Sequence, residues 1–194
     1  VQGFTGRMGT FHAEEMLDEA DLPLKYATVS TCFRREAGAA GRDTAGLFRI
    51  HQFEKVEQVV IGPNDEDWSI QEQEKMLTHA EEFVQELEIP YRVVDVCAGD
   101  LGQGQVRKFD IEAWMPSREN WGETHSASRF HDFQARRLGL RYKPADGGKP
   151  LFCHTLNNTV AAKFAFTARV PRARSRPVWT RFQHNIATWG SRYW

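Results

Sequence analysis

The chain has 194 residues, a formal net charge of -1, 41% hydrophobic and 26% charged residues. That composition gives one globular domain with a sizeable core, and the near-zero balance argues against a surface coated throughout for nucleic acid. No apolar run approaches membrane-spanning length, and Val1 to Thr10 lacks the basic start and apolar core of a signal peptide.

Val1 to Thr10 is Gly-rich and irregular, and a start on Val rather than Met is read as a fragment. In His12 to Ala20, Ala13, Met16 and Leu17 stand at helical spacing among acids, so a short helix is expected, ended by a break at Asp21 to Leu24 around Pro23. Tyr26 to Arg35 and Leu47 to Val60 read as two strands of a hairpin. Gly38 to Gly46 joins them, with glycines that permit positive φ and close approach of a ligand backbone. These strands carry Arg34, Arg35, Glu36, Arg49, His51, Lys55 and Glu57, more charge than a strand needs, with Phe53 among them. A site for an anion and an aromatic base fits that set: guanidinium forks hold phosphate oxygens and a ring face stacks a base.

Asp65 to Glu88 carries Trp68, Ile70, Met76, Leu77, Ala80, Phe83, Val84 and Leu87 at three-and-four spacing and reads as a structural amphipathic helix, with His79 facing solvent. Tyr91 to Cys97 reads as a β-branched core strand. After a Gly-punctuated loop, Val106 to Met115 alternates Lys108, Asp110 and Glu112 with Phe109, Ile111 and Ala113, so the polar set shares one face. Arg141-Tyr142 and Leu151 to Leu156 bracket a turn at Asp146-Gly147-Gly148, a further hairpin. Cys32, Cys97 and Cys153 are too far apart for a metal knuckle and imply a reducing compartment. After Asp146 there is no Asp or Glu, while Lys163, Arg169, Arg172, Arg174, Arg176, Arg181 and Arg192 follow.

FRREAGAAGRDTAGLFRIHQFEKVE, from Phe33 to Glu57, resembles motif 2 of the class II aminoacyl-tRNA synthetases in the form found in seryl-tRNA synthetases. RKFDIEAWMP resembles the segment before that family's ATP-contacting strand. ETHSAS with DFQARRL resembles ExxSxSNCTDxQxRRL, with Arg129-Phe130-His131 in place of Asn-Cys-Thr, and His154 to Thr159 resembles the entry to motif 3. The likeness covers residues 12–162.

The resemblance implies an α/β domain of mostly antiparallel sheet with flanking helices over residues 1–162, and a basic, poorly ordered or unrelated tail over residues 163–194. The tail is open to three readings: a truncated or frame-altered end, an RNA-binding segment, or a separate extension. The implied function is ATP-dependent activation of serine and its transfer to tRNA(Ser), with Mg2+, in the cytoplasm, by a homodimer. Implied for ATP are Arg34, which also bridges to the serine carboxylate, Arg35, Glu36 on the adenine amino group, Ile50, His51, Gln52, Phe53 over the adenine face, and Thr124 and His125. Glu123 and Ser126 are implied as Mg2+ ligands, Glu57 as the reader of the serine ammonium and Thr159 as a contact to the serine side chain. Two alternatives stand beside it: a ligase that loads serine onto a carrier protein, and an inactive binding or dimerisation module. The chain departs from the family at Ala165, where the motif 3 Arg is expected, and in its first ten residues, which lack a Thr-x-Glu segment; the N-terminal helical hairpin is absent from the sequence.

Overall fold

The computed structural model describes residues 16–35, 50–116 and 118–162. The expected Gly-rich loop with Glu36 and Arg49, the first ten residues, Ala165 and the basic tail lie outside the described residues.

Helix α1, Glu66–Glu86, forms where the sequence predicts it. The Asp65 carboxylate accepts the amide of Trp68 at 2.9 Å, and Glu66 and Asp67 complement the positive end of the helix. Met76, Ala80, Phe83 and Val84 are spaced to share a face, and all four are buried against the sheet. Met76, halfway along the helix, clusters with Val60 and Leu156, Ala80 and Val84 cluster with Ile111, and Phe83, near the end, clusters with Ala161. Gly62 fixes the approach, because a Cβ there would lie 1.9 Å from the Trp68 ring.

The sheet beneath has six strands in the order β2-β3-β9-β6-β5-β4, and every neighbouring pair is antiparallel. The strands are β2 (Leu24–Phe33), β3 (Gln52–Gly62), β4 (Tyr91–Asp95), β5 (Arg107–Met115), β6 (Asn120–Arg129) and β9 (His154–Ala162). The expected hairpin is β2 with β3, paired from Leu24↔Ile61 to Phe33↔Gln52. A second sheet packs Leu17, Leu140, Tyr142 and Cys153 into a small core with Ile61 and Ala135. It contains β1 (Leu17–Asp18), β7 (Arg141–Lys143) and β8 (Leu151–Phe152), and β7 with β8 is the expected hairpin. Helix α2 (Phe133–Leu138) leads into it through Gly139, at φ 70°.

Three expectations are corrected. The helix over His12 to Ala20 does not hold within its described part: Leu17 is drawn into parallel pairing with Tyr142, and Glu19–Asp21 make one 3-10 turn. A two-residue ladder with a buried Leu outweighs a weak periodicity. Tyr91–Asp95 is an edge strand rather than a core strand, with Val93 38% exposed. His79 is half-buried, and Gln58 Nε2 donates to its Nδ1 at 3.3 Å; burial lowers its pKa from the usual histidine value.

Candidate active site

One face of the sheet carries α1, and the opposite face carries the expected site. In a regular strand Glu123 and Ser126, three residues apart, would point to opposite faces. The register shows why they do not. Ile111 pairs with His125 but Glu112 pairs with Glu123, so Thr124 is an extra residue on β6 and the strand is bulged there. Thr124 turns its hydroxyl to donate to the Ile111 carbonyl at 2.9 Å. After this one-residue shift Glu123 opposes Glu112 and Ser126 opposes Asp110, which are same-face neighbours on β5. The ammonium of Lys108, on the same face, lies 2.8 Å from Asp110 and 4.0 Å from Glu123.

A second shift works in the same way on β9. Glu57 pairs with Thr159 and Val56 with Ala161, leaving Val160 as the extra residue. Glu57 is 7% exposed, and its Oε2 accepts from Thr159 Oγ1 at 3.0 Å and from the Lys55 ammonium at 2.7 Å. A buried carboxylate needs such partners to remain charged. Two residues before Lys55 on the same face, Phe53 lies under the Arg34 guanidinium, 5.1 Å from ring centroid to Cζ. Arg34 is held by its backbone: its amide donates to the His51 carbonyl at 2.8 Å, and its own carbonyl is 3.1 Å from His51 Nδ1. Strands β6 and β9 pair only from Ala127↔Asn158 to Arg129↔Leu156, so their ladder stops beside Ser126 and Thr159.

Arg34, Phe53, Glu57, Thr159, Glu123 and Ser126 are thus brought to one face. His51 and Gln52 are exposed at the mouth of the hairpin with Arg35, and Ile50 is half-buried against the cluster of Cys32, Phe53 and Phe83. His125 is not on that face. Its side chain is 1% exposed, turned toward α1 with its ring edge-on to Phe83 at 6.3 Å, and its Nδ1 is 2.8 Å from Thr124 Oγ1. Neither of these two side chains reaches the open face, because the bulge spends Thr124 on the backbone and turns His125 inward.

Sequence reasoning left Lys55, Lys108, Asp110 and Glu112 of this face without individual roles. The period-two spacing of Lys55 with Glu57, and of Lys108 with Asp110, was the available signal. Asp110 is 9% exposed, its Oδ1 is buried without a partner among the described residues, and burial pushes its carboxyl up to about 6 against the opposing pull of Lys108. Glu123 and Ser126 are hard oxygen donors, and the Glu123 side chain is 54% exposed. Among the described residues no three His, Cys, Asp or Glu side chains converge on a point that could hold a metal. The donor set therefore fits a Mg2+ ion held by a few protein oxygens together with phosphates, not an all-protein cage.

Residues 7–166 match the family described as the tRNA synthetase class II core domain (G, H, P, S and T). The serine–tRNA ligase of Pyrococcus horikoshii is 54% identical over 151 residues, which are 78% of this chain and 33% of that protein. That of Roseobacter denitrificans is 54% identical over 147 residues, 76% of this chain and 34% of that protein. Among solved structures, the seryl-tRNA synthetase of P. horikoshii complexed with ATP superposes with a TM-score of 0.78 at 50% identity, covering 83% of this chain and 36% of that one. The cytoplasmic serine–tRNA ligase of Naegleria fowleri in complex with AMP gives 0.77 at 41%, covering 87% and 40%. The chain spans about a third of the length of the curated relatives it matches.

Proposed function

The chain belongs to the class II tRNA synthetase core family, and from that premise we propose that its open sheet face activates serine with ATP and passes it to tRNA(Ser). The observation that carries the reading is the buried Glu57–Thr159 pair on the same face as Arg34 and Phe53. A ligand with an ammonium group at one end and a purine nucleotide at the other matches that line of side chains.

In the activation step a serine carboxylate oxygen forms a bond to the α-phosphorus of ATP. The bond from that phosphorus to the bridging oxygen breaks, and pyrophosphate leaves with the electron pair. No side chain need become a nucleophile, so the residues act by positioning and by charge. Phe53 and Arg34 stack the adenine end, and the free edge of the Arg34 fork spans the α-phosphate and the serine carboxylate. Glu57 holds the serine ammonium, and Thr159 stands beside it toward the serine side chain. Arg35, Ile50, His51 and Gln52 border the nucleotide, and Glu36 is assigned to its adenine amino group by resemblance alone. Thr124 serves by fixing the bulge and His125 by packing, not as side-chain contacts to ATP. Glu123 and Ser126 would hold Mg2+, whose chemistry when bound is to neutralise phosphate charge. In the second step a ribose hydroxyl of the tRNA attacks the acyl carbon, AMP departs, and the hydroxyl proton is released.

Three free cysteines accord with a reducing cytoplasm, and among the described residues no helix is long and apolar enough to cross a membrane. Function as a pair of copies rests on the resemblance alone. Serine-dependent exchange of labelled pyrophosphate into ATP tests the activity, with Glu57→Ala as control. Exchange that falls by about two orders of magnitude or more in the control supports the reading. A chain that binds ATP but exchanges nothing is a binding module, and the proposal fails.

A further inference from the structure

Along β3 the side chains Phe53, Lys55 and Glu57 alternate onto the open face, so successive ones stand about 6.6 Å apart. That order is the order of parts in an aminoacyl adenylate: base, phosphoryl group, amine. Phe53 lies under Arg34 at one end, and Glu57 is buried beside Thr159 at the other. Between them, Lys55 points its ammonium at Glu57, 2.7 Å from Oε2, with its side chain 18% exposed and that of Glu57 9%.

Two facts follow from this arrangement. A carboxylate this buried is costly to leave unpaired, and Lys55 supplies its counter-charge. The Lys55 ammonium also sits where a ligand's ammonium would be received, and two like charges on one carboxylate oxygen repel strongly in a partly dry site. Resting on the function proposed above, we infer that Lys55 is a specificity-determining exchange group: the substrate's ammonium displaces it from Glu57, and the released cation turns to the phosphoryl group next to it. Its flexible four-carbon stem and compact charge suit that movement, which a rigid guanidinium fork suits less. Binding of the amine therefore delivers a positive charge to the nucleotide. The two ligands assist each other, and by linkage the assistance is reciprocal. An uncharged isostere of serine does not release Lys55 and gives no assistance. The device thus links recognition of the amine to neutralisation of the phosphate, two tasks otherwise divided between Glu57 and Arg34.

The test is calorimetric titration with the α,β-methylene analogue of ATP, which cannot release pyrophosphate, in the absence and presence of saturating serine, and again with glycerate, in which a hydroxyl replaces the ammonium. In the unsubstituted chain serine is expected to tighten nucleotide binding by about fivefold or more, and glycerate not at all. Lys55→Met, checked for folding by its thermal melt, is expected to bind serine at least as well and to lose the coupling; Lys55→Arg retains part of it and guards against a folding artefact. Coupling that persists undiminished in Lys55→Met overturns the inference, as does its absence in the unsubstituted chain when both ligands bind. An unsubstituted chain that binds neither ligand overturns the functional reading itself, and the inference with it.

Discussion

On the α1 side of the sheet, buried amides and imidazoles stand with two ion pairs, Lys25–Glu72 and Arg129–Glu66, that join strand to helix, whereas on the other side the buried ion pairs, Lys55–Glu57 and Lys108–Asp110, each lie within one strand. Asn158 Nδ2 donates to Gln58 Oε1 at 2.9 Å and to the Met76 carbonyl at 2.7 Å, and Gln73 Nε2 donates to the carbonyls of Arg107 and Ala127. These groups sit among Val60, Phe83, Ile111 and Leu156, and their bonds tie the helix to the sheet at little electrostatic cost. Across the same strands, one residue away, Lys55, Glu57, Lys108 and Asp110 are packed as charges. Buried ion pairs contribute little net stability, because desolvation offsets their attraction. The α1 face holds the molecule together, and the open face carries the charges of the proposed site.

Four experiments would break or sharpen that contrast. Phe83→Ala, on the helix face, should lower stability by about 3–5 kcal/mol in urea unfolding, since it empties a site with no exposure. On the other face, Lys55→Met combined with Glu57→Leu should leave stability unchanged or raise it by about 1–4 kcal/mol while exchange activity disappears. A destabilised double variant would mean that the charges hold the sheet together after all.

The faces should also respond to pH with opposite sign. Asp110, raised to about 6, keeps its proton in the fold at pH values where the unfolded chain has lost it. Its contribution is complete in acid and is lost as pH rises through about 6, by on the order of 1–2 kcal/mol. His154, on the helix side with Nδ1 3.3 Å from Ser69 Oγ and its ring stacked at 4.8 Å on His131, has its pKa lowered first by burial and then by His131. Its contribution is complete above about 6.5 and is lost as pH falls through the lowered value. Urea midpoints across pH should lose the decline between about pH 4 and about pH 6 in Asp110→Asn, and part of the decline on acidification below about pH 6.5 in His154→Gln. The smallest effect is expected for Asp65→Ala, about 1 kcal/mol from a lost helix cap, with exchange activity untouched.

The sequence makes these two faces legible to different degrees. Helix α1 is readable because Asp65, the acidic first turn and the apolar spacing agree, and the β2–β3 hairpin because two extended runs flank a Gly-rich stretch. Motif likeness also points to Glu57, Thr159, Glu123 and Ser126, which the fold brings to one face. What local pattern could not supply is anything set by strand order. Val93 and Val94 are as β-branched as residues of a central strand, and only the topology makes β4 an edge. Leu17 belongs to a helical pattern by spacing and to a strand by its distant partner Tyr142. His125 follows Thr124 in a string that resembles an ATP-contacting segment, but a register shift between strands decides which way it points.

The bulge at Thr124 also sets a rule for lengthening or shortening this part of the chain. The turn between β5 and β6 could gain or lose residues at modest cost, since it leaves the pairing beyond it unchanged. A deletion of Thr124 would remove the extra step and leave Glu123 and Ser126 two residues apart, still on one face, whereas a change that straightened β6 at its present length would send one of the two to the helix side. Here parity is the quantity under constraint: β6 must hold an even number of peptide steps' worth of facing between those two oxygens while spending three in sequence. A related strand one residue shorter here needs no bulge to keep the two oxygens together, and one of equal length cannot do without it.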